Sequence, residues 1–293
     1  MELKLFQRWE IDDDKWNNHI ASSPQGNVYG LTWYLDAMTD GHWQALISKN
    51  YLTLMPFYKK SKYFIPYITQ PFLCQRLGIF NAENNLSTLE IDIFYRKLAN
   101  SVLKYDILTA HNIPSKSNHK TRENHILNLE FSYDGLSKNY NRNTKRNLTA
   151  AANIENHIIT DEVEVTDLID FLRKNDPTLL LDKHYKKVMQ LIKSALVQNN
   201  GFLLVAKENN ELRAAAFYIE FGSRIYFLIC ASDVRGKETK SMYYLIDDII
   251  RKYSGQSKIF DFTGSNIKSI AQRNLGFGAE VETYFHVHGG LFM

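Results

Sequence analysis

The segment between Ser232 and Met242 has the residue types that bind phosphate groups. Basic, small and hydroxyl side chains follow one another closely there, namely Arg235, Gly236, Lys237, Lys240 and Ser241. An apolar stripe at helical spacing then predicts a helix over residues 239–253. The first backbone N–H groups of a helix are unpaired and lie at the positive end of its dipole, so they suit a pyrophosphate. The other interpretation is a capped helix behind a charged surface loop.

A second cluster is a basic stretch over residues 137–152, which we also predict to be helical. Its cations recur at spacings of three and four residues, which places them on one helix face: Lys138, Arg142, Lys145 and Arg146. No Asp or Glu occurs between Ser137 and Ile154. Such a face attracts phosphate or a nucleic-acid backbone, or it is simply solvated.

Three further residues are candidates for acid–base chemistry. Glu220 and Asp261 lie near the ends of predicted strands, where a carboxylate could act as a general base. Tyr284 is a candidate proton donor. The plainer interpretation gives the carboxylates ordinary salt bridges and Tyr284 a place in the core. The sequence contains neither a Walker A loop nor a G-x-S-x-G elbow, which excludes P-loop NTPases and serine hydrolases of that type.

Length and composition limit the number of domains and the class of protein. The chain has 293 residues, enough for one large or two modest domains. Hydrophobic residues make up 44%, and only 14 Gly and 6 Pro occur, which excludes collagenous and wholly disordered classes. Lys and Arg number 35 against 32 Asp and Glu, so affinity for a polyanion must come from local clusters.

The cysteines and histidines predict neither a disulfide framework nor a metal site. Cys74 and Cys230 are distant and belong to no CxxC motif. His286 and His288 share a strand face, but no third ligand is close in sequence. The N-terminus lacks a signal-peptide pattern and the apolar runs are far shorter than the ~20 residues that cross a bilayer. We therefore expect a cytoplasmic protein with no membrane span and no metal.

We predict two domains, residues 1–132 and 133–293, joined at the turn Ser132-Tyr133-Asp134-Gly135. The first domain reads as mixed α and β. In the second, helices precede three consecutive strands over residues 202–207, 212–221 and 224–232, whose short Asn- and Gly-containing turns predict an antiparallel meander. The helix at 239–253, a strand at 258–263, a short helix at 267–275 and a strand at 279–287 complete it.

This order of elements, together with several motifs, resembles the GNAT superfamily of N-acyltransferases. The motifs are the strand and loop at 224–241, Phe260-Asp261-Phe262-Thr263-Gly264-Ser265-Asn266, Ala271 and Leu275-Gly276-Phe277. The stretch 136–147, followed by Ala150-Ala151-Ala152, is similar to the FemAB branch, whose members carry two GNAT-like domains in tandem. The resemblance covers residues 132–287; in the first 130 residues it consists of Gln70-Pro71-Phe72 and Leu77-Gly78.

The resemblance implies an α/β fold of two tandem GNAT-like domains, with mostly antiparallel sheets flanked by helices and a last strand that packs across to the first domain. It implies a carrier-binding set of Ser232, Arg235, Gly236, Lys237, Thr239, Lys240, Ser241 and Asn266. It implies a substrate-binding set of Arg142, Lys145, Arg146 and Gln70. Where the superfamily places its acidic tyrosine the sequence has Gln272 and Arg273, and where the branch often places a lysine it has Asn274.

The function expected from the resemblance is transfer of an acyl or aminoacyl group from acyl-CoA or aminoacyl-tRNA to the amine of a small molecule or peptide. The alternative is a catalytically inactive GNAT-fold module that binds an anionic ligand. Turnover with a panel of amines separates the two, because a binding module shows thermal stabilisation without product.

Overall fold

The computed structural model describes residues 2–83, 85–110, 113–115, 118–176, 182–264 and 267–290. The chain forms two compact units. The first unit comprises residues 1–122 and 283–293, and the second unit comprises residues 123–282. The domain boundary after Ser132 stays a prediction, whereas the compact units divide after Arg122.

Helices and strands are mixed along the chain, often in runs of two or more elements of the same kind. The strands are β1 (Leu3–Gln7), β2 (Gln44–Ser48), β3 (Thr53–Lys62), β4 (Ile65–Thr69), β5 (Phe80–Asn81), β6 (Lys104–Thr109), β7 (Asn118–Asn128), β8 (His157–Thr160), β9 (Gly201–Glu208), β10 (Glu211–Phe221), β11 (Arg224–Ser232), β12 (Ile259–Asp261) and β13 (Glu280–Gly289). The helices are α1 (Asp13–Ser22), α2 (Thr32–Thr39), α3 (Thr88–Ala99), α4 (Tyr133–Lys138), α5 (Arg142–Ala152), α6 (Val165–Asn175), α7 (Asp182–Val197), α8 (Val234–Glu238), α9 (Ser241–Tyr253) and α10 (Lys268–Gly276).

The first unit is a sheet in the order β1-β2-β3-β4-β6-β13, with β5 paired to β3. Its neighbours are antiparallel except β4 and β6, which run parallel at Tyr67↔Lys104. Helix α3 begins at a capping box formed by Ser87 and Glu90, and it packs Phe94 and Leu98 into the core of this sheet. The last strand joins this sheet through β6, from Phe285↔Thr109 to Gly289↔Tyr105.

The second unit is a sheet in the order β7-β12-β11-β10-β9-β8. Strands β9, β10 and β11 form the antiparallel meander that the sequence predicts, and β12 joins β11 in parallel. Because side chains alternate along a strand, Ala214, Ala216 and Tyr218 face the core shared with α9. The other face of β10 carries Phe217, which lies beside Gly201 and α7. The mixed α/β class, with mostly antiparallel sheets flanked by helices, is therefore confirmed.

Several local predictions in the second unit are wrong at the element boundaries. The predicted basic helix is interrupted, because α4 ends at Lys138 and α5 begins at Arg142. Asn141 is the N-cap residue of α5 and accepts the Thr144 N–H at 2.8 Å. The turn at 132–135 is the start of α4, with Ser132 as its cap. The loop before the predicted helix at 239 contains α8, so that helix starts at Ser241.

Helix α9 is fixed to the preceding helices by one buried carboxylate. Asp247 accepts hydrogen bonds from the hydroxyls of Tyr133, at 2.8 Å, and Tyr140, at 2.9 Å. The Arg251 guanidinium lies 3.8 Å from the centre of the Tyr133 ring and donates to its hydroxyl. Burial, reinforced by Asp247, raises the pKa of both tyrosines, so they remain proton donors to this carboxylate. The position of α9, and hence of its N-terminus, depends on this cluster.

Candidate functional site

The parallel pairing of β11 and β12 ends early, which opens one edge of β11. The two strands pair only from Arg224↔Ile259 to Tyr226↔Asp261, whereas β11 continues to Ser232. Thr263 and Gly264, which follow β12, have φ values of 57° and 67°, outside the range of a strand. Thr263 Oγ1 donates to the Phe227 carbonyl at 2.7 Å, at the point where the strands part. Among the described residues no strand pairs with this edge of β11 at residues 227–232, and we call it the open edge.

Helix α10 places a cation beside the open edge. The Arg273 guanidinium lies 5.5 Å from the centre of the Phe227 ring and donates two hydrogen bonds to Asn274 Oδ1, at 3.1 and 2.9 Å. Burial raises the pKa of the nearby Cys230 thiol, and the Arg273 charge and hydrogen bond oppose that shift. Arg273 is half-buried, and no carboxylate of the described residues forms an ion pair with it. A half-buried cation without a carboxylate partner can interact with an anionic ligand or stabilise negative charge that develops during a reaction.

Aromatic rings form the wall next to this cation. Tyr218 stacks on Phe227 with ring centres 5.3 Å apart and on Phe202 at 5.0 Å. Tyr218 is fully buried, and its hydroxyl has no hydrogen-bond partner within the described part of the chain. Burial raises the pKa of Tyr218 well above its ordinary value, so the hydroxyl keeps its proton. The wall is therefore apolar and holds an un-ionised phenol.

The segment that follows β11 is held by a charged cluster. Arg235 donates to both carboxylate oxygens of Glu208, at 2.9 and 2.6 Å, and Arg213 donates to Glu208 at 3.1 Å. The hydrogen bonds from Arg235, supported by those from Arg213, lower the pKa of Glu208 below its ordinary 4.5. The Arg235 side chain is therefore occupied by Glu208, and its predicted phosphate contact stays a prediction.

Gly236 is required by a close backbone approach. A Cβ at this position would lie 1.9 Å from the carbonyl oxygen of Arg213 and 3.0 Å from Asp233 Oδ1. Asp233 also caps α8 by accepting the Gly236 N–H. Gly236 therefore lets the short helix α8 lie directly against β10.

The hydroxyls at the start of α9 face inward. Thr239 Oγ1 lies 2.8 Å from Ser241 Oγ, which lies 3.0 Å from His157 Nε2. His157 Nδ1 lies 3.0 Å from the Ala151 carbonyl, which can only accept, so Nδ1 carries the proton and Nε2 accepts from Ser241. All three side chains are buried. Thr239 and Ser241 therefore stabilise the start of α9 from within.

The groups that remain at the start of α9 are its first N–H groups and two lysines. Lys240 is the N-cap residue with φ of 61°, and its side chain forms no capping hydrogen bond. Lys237 is exposed, and Lys240 Nζ donates to the Lys237 carbonyl at 3.1 Å. Ser232 is half-buried at the end of β11, and Asn266 lies outside the described residues. These groups fit a phosphate, because both the ammonium charges and the helix dipole favour an anion.

The basic face of α5 is exposed as the sequence predicts. Lys145 Nζ donates to the Lys138 carbonyl at 2.9 Å, and Arg146 donates to Asn143 Oδ1 at 2.8 Å. Arg142, Lys145 and Arg146 are exposed, and within the described ranges no carboxylate forms an ion pair with them. Their charges are therefore available to an anionic ligand.

The two candidate carboxylates of the second unit are each held by partners of their own. Asp261 is fully buried, accepts from Arg224 at 2.9 Å and from Asn124 at 3.1 Å, and belongs to the second unit. Glu220 accepts from Tyr253 at 3.1 Å and pairs with Lys258; burial, with Glu220 close by, raises the pKa of Tyr253 to about 12. Glu220 pairs with Ile225, so it lies roughly 20 Å along β11 from Ser232.

Two of the predicted residues belong to the first unit. Tyr284 is a buried residue of β13. Gln70 donates to the Cys74 carbonyl at 2.6 Å and accepts from the Leu108 N–H at 2.9 Å. Both ends of the Gln70 side chain are therefore engaged in local structure, and its substrate-binding role stays a prediction.

No protein-family model matches this chain, and no curated protein matches it. Solved structures do match. FemX has a TM-score of 0.65 at 10% identity, over 98% of this chain and 97% of FemX. A tandem GNAT protein from the clavulanic acid biosynthesis pathway has a TM-score of 0.54 at 7% identity, over 98% of this chain and 97% of that protein. This chain therefore has the fold of FemX and of this tandem GNAT protein.

A third similar structure extends the range of proteins with this fold. It is the C-terminal domain of a putative lysylphosphatidylglycerol synthetase from Agrobacterium fabrum, with a TM-score of 0.58 at 10% identity over 96% of this chain and 92% of that one. The predicted fold class is confirmed by these likenesses. At such identities they establish the fold of this chain and leave its activity to its own residues.

Sequence reasoning missed three residues that the structure places around this site: Glu208, His157 and Arg273. Glu208 and His157 carry no local signal for their contacts with Arg235 and Ser241, which lie 27 and 84 positions away in the chain. Arg273 lies in the helix that the sequence predicts over residues 267–275, but no local pattern places it beside Phe227. The sequence interpretation treated it only as a replacement for the tyrosine of the superfamily.

The close approach at Gly236 predicts a local stability effect. Gly236→Ala should lower the free energy of unfolding by about 1–3 kcal/mol, because the new methyl group overlaps the Arg213 carbonyl. Gly135→Ala is the matched control, since its Cβ would lie 3.5 Å from the nearest atom, in a helix. Denaturant unfolding measures both. Equal stability of the two variants would contradict the packing at α8.

The lowered pKa of Glu208 predicts a pH-dependent contribution to stability. A carboxylate whose folded pKa is depressed stabilises the fold above its ordinary pKa of 4.5, and this contribution is lost as the pH falls through the lower folded value. The stability difference between wild type and Glu208→Gln should therefore be largest near neutral pH and shrink below about pH 4.5. Thermal unfolding across this range measures it, with the exposed Glu155→Gln as control. A difference that is constant with pH would exclude the ion pair as the cause.

Proposed function

We propose that this protein transfers an acyl or aminoacyl group from a phosphate-bearing carrier to an amine acceptor. The observation that carries the proposal is the open edge of β11, with Arg273 beside it and a phosphate-compatible helix start after it. The fold adds support, because FemX and a tandem GNAT protein share it. The open edge offers a carrier arm an extended backbone, and the start of α9 offers its phosphates the helix N–H groups and the ammonium groups of Lys237 and Lys240.

The chemistry requires a developing negative charge to be stabilised. The acceptor amine attacks the acyl carbonyl carbon, a C–N bond forms, and the bond from that carbon to the carrier sulfur or oxygen breaks. The amine loses one proton and the leaving group gains one. The carbonyl oxygen carries the negative charge in between, and the Arg273 guanidinium is the described cation beside the open edge that can stabilise it.

We assign positioning roles to the carboxylates of Asp261 and Glu220. Asp261 is ion-paired with Arg224, and Glu220 is held by Tyr253 and Lys258, so each already compensates a charge. These contacts favour roles in holding β12 and the end of β10.

The basic face of α5 supports an anionic acceptor or carrier. Arg142, Lys145 and Arg146 expose charge without carboxylate partners in the described part of the chain. We propose acyl-CoA and aminoacyl-tRNA as the two carriers to test. Both bring phosphate to the start of α9, and a polynucleotide would also engage α5.

A binding module without turnover is the second candidate function. The observation that favours it is the replacement of the superfamily tyrosine by Gln272 and Arg273, which removes its usual proton donor. Such a module would bind acyl-CoA or another anionic carrier at the same open edge. It would gain thermal stability with ligand and form no product.

Arg273 is the residue that distinguishes catalysis from binding. With acetyl-CoA, longer acyl-CoAs and aminoacyl-tRNA as donors and a mixed amine panel as acceptors, we expect product by mass spectrometry. Arg273→Gln should lower kcat by about 100-fold while the donor Kd, measured by titration calorimetry, stays within a few-fold. Arg273→Lys should retain part of the rate, and Lys268→Gln, on the exposed side of the same helix, should match wild type. Donor binding without product in any pairing would favour the binding module.

The aminoacyl-tRNA version makes a separate prediction about salt. If tRNA phosphates contact α5, the logarithm of the tRNA affinity should fall linearly with the logarithm of salt concentration. Arg142→Ala should reduce this slope by about one unit, whereas Lys193→Ala, an exposed lysine on α7, should not. Filter binding over a salt series measures both. A flat response in wild type would exclude tRNA as the carrier.

A further inference from the structure

The hairpin between β3 and β4 ends in an exposed apolar tip. Tyr63 and Phe64 form its two-residue turn and are 84% and 101% exposed, and the next residue, Ile65, is 47% exposed. Large apolar side chains scattered singly on a surface are common. Three in succession at a convex tip expose a continuous apolar surface, which marks an interaction site.

The backbone at this tip is unfavourable for the residues it carries. Tyr63 and Phe64 have φ values of 52° and 64°, the conformation of a type I′ turn. Such turns favour Asn-Gly, because bulky side chains rarely adopt positive φ. Aromatic residues at both positions therefore cost folding stability, which indicates that their side chains serve another purpose.

The strand that leads to the tip is basic, and the sequence around it contains no acidic residue. Lys59, Lys60 and Lys62 directly precede it, and no Asp or Glu occurs between Asp40 and Glu83. In the hairpin ladder Lys60 is opposite Tyr67 and Lys62 is opposite Ile65, so these lysines share a face with apolar side chains. The Lys62 ammonium lies 5.5 Å from the centre of the Tyr63 ring. Within the described residues no carboxylate pairs with the three lysines.

We propose that this hairpin tip docks on an anionic lipid membrane, with Phe64 and Ile65 in the interfacial layer and the exposed lysines Lys60 and Lys62 on the headgroups. An apolar tip flanked by Lys is the combination that binds such surfaces. A second copy of the chain fits less well, because it would bring the same positive charge. A nucleic acid fits less well because Ile65 has no aromatic face to stack on a base.

Docking on a membrane goes beyond the proposed transfer reaction, and its test does not use turnover. No helix among the described residues is long and apolar enough to cross a membrane, so the attachment would be peripheral. Either inference can fail while the other holds. A loss of vesicle binding leaves donor titration unaffected, and an absence of product leaves vesicle binding unaffected.

The experiment is flotation of the full chain with vesicles of equimolar phosphatidylcholine and phosphatidylglycerol, compared with vesicles of phosphatidylcholine alone. We expect binding to the anionic vesicles that falls as salt is raised. The double variant Tyr63→Asn/Phe64→Gly should lower the partition coefficient by roughly tenfold or more. Because Asn-Gly is the favoured type I′ turn, this variant should fold with a Tm equal to or above that of wild type.

The charge arm uses Lys60→Gln/Lys62→Gln, which should weaken binding by roughly fivefold per lysine. The matched control is Lys186→Gln/Lys193→Gln, which removes two exposed lysines of α7. The control for apolar exposure is Leu89→Ser, since Leu89 is 65% exposed on α3. Both controls should bind as wild type does.

Each of the following results would overturn the proposal. They are no binding of wild type to anionic vesicles, unchanged binding by the Asn-Gly variant, and binding of total tRNA through the tip in place of vesicles. Equal loss in the α7 control would also overturn it, because binding would then follow bulk charge.

Discussion

The ion pair between Arg224 and Asp261 fixes the point at which the parallel strands of the second unit separate. Asp261 is the last residue of β12 and is fully buried, so its charge needs compensation inside the protein. Arg224 supplies the compensating charge, and Asn124 donates a further hydrogen bond to Asp261. Arg224 also donates to Glu282 at 3.1 Å. Asp261 Oδ1 also accepts the Thr263 N–H at 2.8 Å, which turns the backbone out of the strand. The early end of the ladder, and with it the open edge, follows from satisfying this carboxylate.

The start of α9 depends on a different set of buried polar groups. His157, Ser241 and Thr239 hold it from one side, and Asp247 fixes the helix to Tyr133 and Tyr140. Satisfied internal hydrogen bonds of this kind rigidify an element, because breaking one leaves a buried group unpaired. The polar residues around the helix start therefore divide into two groups. Hydroxyls and arginines support the fold, whereas backbone N–H groups and lysines remain for a ligand.

The elements that the sequence predicted well are those whose signals are local. The meander follows from apolar strands separated by Asn209-Asn210 and Gly222-Ser223, and α9 follows from its apolar stripe. The contacts that the sequence could not predict join distant residues: Asn124 and Asp261 are 137 positions apart, and His157 and Ser241 are 84 apart. Thr239 and Arg235 looked equally suited to bind phosphate, and only the tertiary structure shows that Ser241 and Glu208 already engage them. In the sequence alone, Lys237 and Lys240 could not be distinguished from Thr239 and Arg235 as phosphate-binding candidates.

The small net charge of +3 conceals two acid-free stretches, residues 41–82 and 138–153. The exposed cations Lys60 and Lys62 of the first stretch and Arg142, Lys145 and Arg146 of the second form no ion pair with a carboxylate among the described residues, but their surroundings differ. On α5 the neighbouring side chains are polar, which suits a hydrated polyanion whose phosphates are contacted through counterion release. On the hairpin the neighbours are Tyr63, Phe64 and Ile65, which gain free energy only where water is excluded. Two clusters of positive charge thus indicate two different partners. The side chains beside each cluster decide which partner it suits: polar neighbours on α5 suit a polyanion, and apolar neighbours on the hairpin suit a membrane surface.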